Sequence, residues 1–71
     1  MKVSVWITGR GYVANSLSKV FDLPLCPGPG WWLDLPGIED SFRVDEAGVA
    51  GTPWVQVKVD DIERYREAFE G

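Results

Sequence analysis

The clearest strand pattern in the chain is Trp54-Val55-Gln56-Val57-Lys58-Val59. Its three valines alternate with Trp54, Gln56 and Lys58, and a period of two is typical of a strand with one buried face. The same period recurs over Lys2 to Thr8, where two valines and an isoleucine fall on one side. Both stretches therefore predict strands that turn one face to the core.

Two amphipathic segments predict helices. The first runs from about Tyr12 to Phe21, because apolar residues recur at i, i+4, i+7 and i+8: Val13, Leu17, Val20 and Phe21. Pro24 prevents this helix from continuing. The second helix begins at Asp60, which fits the Asp variant of a capping box with Glu63 three residues later. Its buried stripe is predicted to consist of Ile62, Tyr65 and Phe69.

Two further strands complete the predicted sheet. They cover Trp31 to Leu35 and Ser41 to Asp45, with a turn at Pro36-Gly37 between them. The short connections favour antiparallel pairing of the last three strands. We therefore predict a single α+β domain over residues 1–71, in the order β-α-β-β-β-α. It would be a two-layer sandwich, a mostly antiparallel sheet of about four strands with two helices on one face.

The chain contains no histidine and a single cysteine, Cys26. Sites of the Ser-His-Asp and Cys-His types are therefore excluded, and a tetrahedral zinc site within the chain lacks its ligands. The acidic residues do not match the spacing of a calcium loop. We predict a protein that is not an enzyme and has no catalytic residues, metal or cofactor. The lone cysteine and the lack of a signal peptide or a long apolar run predict a cytoplasmic protein that does not enter membranes.

A glycine motif offers an alternative function. The stretch Gly9-Arg10-Gly11-Tyr12-Val13-Ala14 fits G-x-G-x-x-A between a predicted strand and a predicted helix. Asp34 lies roughly where a ribose-binding acid would be. Gly9 and Gly11 would then hold phosphate at the helix N-terminus. After residue 35, however, the pattern predicts hairpins instead of crossovers, and a glycine turn explains the motif equally well.

Tryptophans mark one candidate surface. If both helices cover the valine face of the sheet, the other face carries Trp6, Trp32 and Trp54 among polar residues. Trp is enriched in binding hot spots, so this face could be the centre of an interface, with Trp32 and Trp54 as anchors. Alternatively, these tryptophans cover a thin sheet, or pair with a second copy in an oligomer. Stacking on nucleic acid needs a basic groove, which the formal net charge of −4 argues against.

Acidic residues mark a second candidate surface. Five of them fall within thirteen residues: Asp34, Glu39, Asp40, Asp45 and Glu46. Three more lie along the last predicted helix at positions i, i+4 and i+7: Glu63, Glu67 and Glu70. This stripe is either a solvated helix face, offset by Arg66, or a row of carboxylates that imitates phosphates. An acidic surface favours a basic protein partner and disfavours direct binding to nucleic acid.

In size, charge and layout, the chain resembles the small phage-encoded anti-CRISPR proteins. The resemblance rests on the acidic surfaces over Asp34 to Glu46 and Glu63 to Glu70, and on no motif, so it carries over no functional residue. It implies an inhibitor in the host cytoplasm that mimics DNA. Such an inhibitor would bind a basic, DNA-binding surface of a type I CRISPR-Cas surveillance complex and block target recognition.

Overall fold

Strands make up most of the regular structure in this computed structural model, which describes residues 1–10 and 16–70. The strands are β1 (Lys2–Gly9), β2 (Ser16–Asp22), β3 (Trp32–Asp34), β4 (Ser41–Arg43), β5 (Glu46–Gly48) and β6 (Trp54–Val59). A 3-10 turn over Ile62–Tyr65 leads into a short helix, α1, over Arg66–Glu70.

Four of the strands form one sheet in the order β2-β1-β6-β5. β1 pairs antiparallel with β2 and parallel with β6, and β5 runs antiparallel to β6. β3 and β4 form a separate two-stranded hairpin. The chain therefore builds its sheet around the two strands with the strongest alternation, β1 and β6.

One face of the four-stranded sheet forms one side of the hydrophobic core. Its central side chains are wholly buried: Val3, Val5, Ile7, Val55 and Val57. Leu33 and Phe42 of the hairpin and Ile62 and Phe69 of the C-terminal segment join the same cluster. Each such side chain contributes about 1.5–3 kcal/mol through burial. The hairpin and the helical segment thus form a second layer over one face of the sheet.

The predicted helix from Tyr12 to Phe21 is wrong over the residues described. Ser16–Asp22 is strand β2, which pairs with β1 in continuous register from Lys2↔Asp22 to Thr8↔Ser16. Val20, which the helix would bury, is 54% exposed. Pairing along the whole of β1 satisfies more backbone groups with a neighbouring strand than a short, isolated helix would with its own turns. The predicted start, residues 12–15, lies outside the described part of the chain.

The predicted closing helix is present only in part. Asp60 does not cap it: the N-cap is Asp61, without a side-chain hydrogen bond, and Asp60 pairs instead with Arg10 at 3.2 Å. Ile62 and Phe69 are buried as predicted. The α+β sandwich with two helices on one face is therefore wrong, and the fold is dominated by strands. Among the described residues no helix is both long and apolar enough to cross a membrane.

The strand predictions fared better than the helix predictions. β1 and β6 match the predicted segments to within one residue, and the two hairpin strands are shorter than predicted. The turn between them is confirmed: Ile38 N–H donates to Leu35 O at 3.2 Å, and Gly37 has φ +82°. A positive φ after proline is the type II geometry that favours glycine. Of the antiparallel pairing predicted for the last three strands, only β3 with β4 forms, because β6 lies in the other sheet and pairs with β1 and β5.

Strand β5 was not predicted. Its residue Gly48 leaves room for the indole ring of Trp54. Gly48 lies opposite Trp54 in the register of β5 and β6. A Cβ atom on Gly48 would stand 2.6 Å from Trp54 Cε2, so only glycine lets the indole lie across the edge strand. An aromatic ring that covers a glycine on an edge strand protects the backbone that the missing side chain leaves bare.

Candidate functional site

The second face of the four-stranded sheet carries two of the predicted tryptophans. Trp6 is 43% exposed and Trp54 is half-buried against β5. With Thr8, Ser16 and Gln56 they line a shallow cavity of about 320 Å³. Gln56 Nε2 donates to Thr8 Oγ1 at 3.3 Å, which fixes the amide between the two rings. Within the described residues, this face combines the two aromatic rings with polar and charged side chains, such as Glu46, which lies opposite Gln56 in the register.

Trp32 does not lie on that face. It belongs to β3, which pairs only with β4 and forms part of the other layer. There it is 71% exposed, directly opposite Arg43 in the register, while Leu33 and Phe42 turn into the core. The predicted surface with three tryptophans together is therefore wrong: the structure places Trp32 on the opposite side of the sandwich from Trp6 and Trp54.

We call the exposed side of the hairpin the hairpin face: Trp32, Asp34, Ser41 and Arg43, with Glu39 in the loop. Ser41 Oγ donates to a carboxylate oxygen of Asp34, which orients this carboxylate without neutralising it. Glu39 is exposed, and neither acid forms an ion pair with any described residue. The hairpin face thus joins the most exposed aromatic ring of the described residues to two carboxylates that form no ion pair with them.

The neighbouring acid, Asp40, is tied down by the C-terminal segment. It accepts a hydrogen bond from Tyr65 Oη at 2.8 Å and lies 3.3 Å from Arg64. Burial of Tyr65 raises its pKa, and the hydrogen bond to Asp40 adds to the effect because it favours the protonated phenol. Asp40 therefore links the hairpin to the helical segment and contributes less free charge than the sequence suggested.

The two acids at the start of β5, Asp45 and Glu46, have different neighbours. Asp45 lies 3.6 Å from Lys58 Nζ, whereas Glu46 is exposed and faces Gln56 across the ladder. Glu46 forms no ion pair in the described part of the chain. The five acids predicted to form one surface are thus divided between the hairpin and the edge of the main sheet.

The predicted carboxylate stripe on the last helix does not form as a row of free charges. Arg66 binds Glu63 at 2.6 Å and Glu70 at 3.0 Å. The hydrogen bond from Arg66 lowers the pKa of Glu63, and the same pair raises the pKa of Arg66. Glu63 lies in the 3-10 turn, so its spacing to Glu67 and Glu70 is not that of a regular α-helix. Only Glu67 stays free of ion pairs among these described carboxylates.

The glycine motif was predicted to lie between a strand and a helix. Gly9 ends β1, and the next described element is strand β2, so a helix N-terminus is absent from Ser16–Asp22. The remaining motif positions, residues 11–14, lie outside the described residues. Asp34 lies in the hairpin and not in a strand beside β1. The helix on which the dinucleotide site depended is therefore absent over Ser16–Asp22, and the site itself stays a prediction.

Neither the cysteine nor the acidic residues supply an evident chemical site. Cys26 is half-buried, with Sγ 3.9 Å from Trp54 O. No group of three or more His, Cys, Asp or Glu side chains among residues 1–10 and 16–70 is arranged to hold a metal ion. The described surface presents charged groups, hydrogen-bonding groups and exposed aromatic rings.

Arg43 is the site residue that the sequence analysis did not single out. Its position was visible in the pattern, because Phe42 and Val44 alternate inward and place Arg43 outward, beside the equally outward Trp32. No family model, curated protein or solved structure matches this chain.

Proposed function

We propose that this protein is a non-enzymatic inhibitor that uses its hairpin face to dock on a basic, DNA-binding surface of a type I CRISPR surveillance complex. Docking there excludes target DNA from the complex. The partner is a protein, and the acidic inhibitor itself does not bind nucleic acid. The proposal keeps the acidic, DNA-mimicking partner surface that the sequence suggested and assigns it to the hairpin.

The exposure of Trp32 is the observation that carries this proposal. A tryptophan that is 71% exposed leaves a large apolar ring in water, although the fold buries the smaller Leu33 next to it. Trp and Arg are the residue types most enriched among those that dominate binding energy. Trp32 and Arg43 face each other across the hairpin, so both could enter one interface together.

Charge supports the choice of a basic partner. The chain has a net charge of −4, and Asp34 and Glu39 form no ion pair with any described residue. Unneutralised carboxylates around an aromatic anchor favour encounter with a positive surface and disfavour a negative one. The helix stripe is a poorer candidate, because Arg66 already offsets Glu63 and Glu70.

Charge reversal on the hairpin tests this proposal. We expect the double variant Asp34→Lys/Glu39→Lys to bind the purified surveillance complex about tenfold more weakly at low salt. The loss should shrink toward high salt, because exposed charges are screened within roughly 10 Å at 0.1 M ionic strength. Biolayer interferometry at two salt concentrations measures both effects.

The matched control is Glu46→Lys/Glu67→Lys. It makes the same change in net charge at two exposed acids that form no ion pair with described residues. If the control weakens binding as much as the hairpin variant does, general charge and not the hairpin directs docking. If the wild-type protein does not bind the complex at micromolar concentration, the proposed partner is wrong.

A further inference from the structure

A groove on the surface is rich in cationic side chains, although the chain as a whole is acidic. A groove of about 690 Å³ lies between β4, the carboxyl ends of β1 and β6, and the 3-10 turn. Four of the seven Lys and Arg residues of the whole chain line it: Arg10, Arg43, Lys58 and Arg64. A protein of net charge −4 therefore gathers more than half of its cations in one place.

Separate elements bring these cations together. Arg10 N–H donates to Val59 O at 3.0 Å, which ties the residue after β1 to the end of β6. Arg43 comes from the hairpin, and one of its terminal nitrogens lies 4.0 Å from the point where a Cβ on Gly30 would stand. Gly30 has φ +84°, a conformation that side chains rarely adopt, so the space beside the guanidinium stays open.

The present partners of these cations are weak ones. Arg10 lies 3.2 Å from Asp60, Lys58 3.6 Å from Asp45, and Arg64 3.3 Å from Asp40. The side chains of these pairs are between 36% and 85% exposed, and ion pairs in that setting contribute little to stability. These three cations can therefore exchange their aspartate partners for contacts to a ligand.

Arg43 differs from the other three cations. Its side chain makes neither an ion pair nor a hydrogen bond with residues 1–10 and 16–70, although it lines the groove. The planar guanidinium presents several donors in a fixed fork, which matches two oxygens of a phosphate group. Arg43 therefore has its full hydrogen-bonding capacity available for a ligand.

The lining also contains three aspartates, Asp45, Asp60 and Asp61, and they restrict the choice of ligand. A ligand with a single negative charge is repelled by these aspartates and contacts few of the cations. A molecule with two or more phosphates can contact several cations at once. A nucleic acid strand extends beyond the groove onto an acidic surface, which repels it. The volume of the groove is within the usual range for small-molecule sites.

We propose that this groove binds a small molecule that carries at least two phosphate groups, with Arg43 as the bidentate anchor. Arg10, Lys58 and Arg64 exchange their aspartate partners for the remaining phosphate oxygens. The site works without a bound metal ion, because arginine supplies the positive charge. This site differs in chemistry from the docking on a basic protein proposed above, although Arg43 borders both surfaces. Because the titration below uses the free protein, its outcome does not depend on the docking partner.

A nuclear magnetic resonance titration of the 15N-labelled protein with sodium pyrophosphate tests the site. We expect saturable shifts for groove residues such as Arg43, Asp60 and Arg64, and none of that size with sodium chloride at equal ionic strength. Arg43→Gln should weaken pyrophosphate binding about tenfold, since it removes a charge-assisted bidentate contact. The matched control is Lys19→Gln, which removes the same charge on β2, outside the groove.

Three results would overturn the proposal. The first is a response to pyrophosphate that does not saturate and equals the response to chloride. The second is an Arg43→Gln variant that, with a dispersed and native-like spectrum, binds pyrophosphate as tightly as Lys19→Gln does. The third is a single-stranded oligonucleotide that binds the groove more tightly than pyrophosphate, since this would make the site a nucleic acid site.

Discussion

Phe21→Ala should destabilise the protein by about 3–5 kcal/mol, the usual cost of removing a buried phenyl ring. Phe21 is 8% exposed and meets Phe69 edge to face, with ring centroids 5.5 Å apart. A 71-residue domain has only about 4–11 kcal/mol of stability in total. We therefore expect a large shift of the urea midpoint, with much of the population unfolded near physiological temperature.

The control, Val20→Thr, distinguishes a strand from a helix at this position. Val20 is 54% exposed on the open side of β2, and threonine keeps its β-branched shape, so stability should change by less than about 0.5 kcal/mol. In the helix predicted from sequence, Val20 would face the core, and burying the threonine hydroxyl would cost about 1–3 kcal/mol. A large loss on Val20→Thr would contradict the assignment of Ser16–Asp22 to a strand.

Trp32→Ala should give the largest loss of binding to the surveillance complex. Truncation of a hot-spot tryptophan costs about 2 kcal/mol or more, which corresponds to at least roughly 30-fold in affinity. Because the ring is 71% exposed in the free protein, the fold should lose little stability. Equilibrium affinity and thermal unfolding, measured on the same preparation, separate the two effects.

Trp6→Ala is the matched control for Trp32→Ala. It removes the same ring from the opposite side of the sandwich, where Trp6 is 43% exposed. We expect its affinity to stay close to that of the wild type. If Trp6→Ala weakens binding and Trp32→Ala does not, the partner docks on the open face of the main sheet, and the assignment to the hairpin face is wrong.

The strands that could be predicted are those with uninterrupted alternation. Val3, Val5 and Ile7 in β1, like the valines of β6, are separated by residues that stay on the other face, and only a strand gives this period of two. The turn at Pro36-Gly37 was equally local, since proline fixes the first central φ of a type II turn and glycine accepts the positive φ of the second. The local sequence was therefore sufficient to predict these strands and this turn.

The helix at Tyr12 to Phe21 failed because its signal was ambiguous. Leu17 and Phe21 are four residues apart, a spacing that puts two side chains on the same face of a helix and also of a strand. Val20 alone favoured the helix, and the structure exposes it. The competing interaction, pairing with β1, is between segments that no local pattern connects.

The candidate surfaces were only partly visible in the sequence for the same reason. The pairing of Arg66 with Glu63 and Glu70 follows from spacings of three and four residues, and it was predicted. The contacts of Arg64 with Asp40 and of Lys58 with Asp45 join distant parts of the chain and were not. The separation of Trp32 from Trp54 depends on which strands share a sheet, which alternation within each strand does not specify.

Competition with DNA is the most direct measurement of the central claim. A fluorescently labelled target duplex is bound to the purified surveillance complex, and its anisotropy is followed as the protein is added. Docking on the DNA-binding surface predicts complete displacement of the duplex, with Asp34→Lys/Glu39→Lys requiring about tenfold more protein. A complex that holds the duplex and this protein at the same time would contradict the claim.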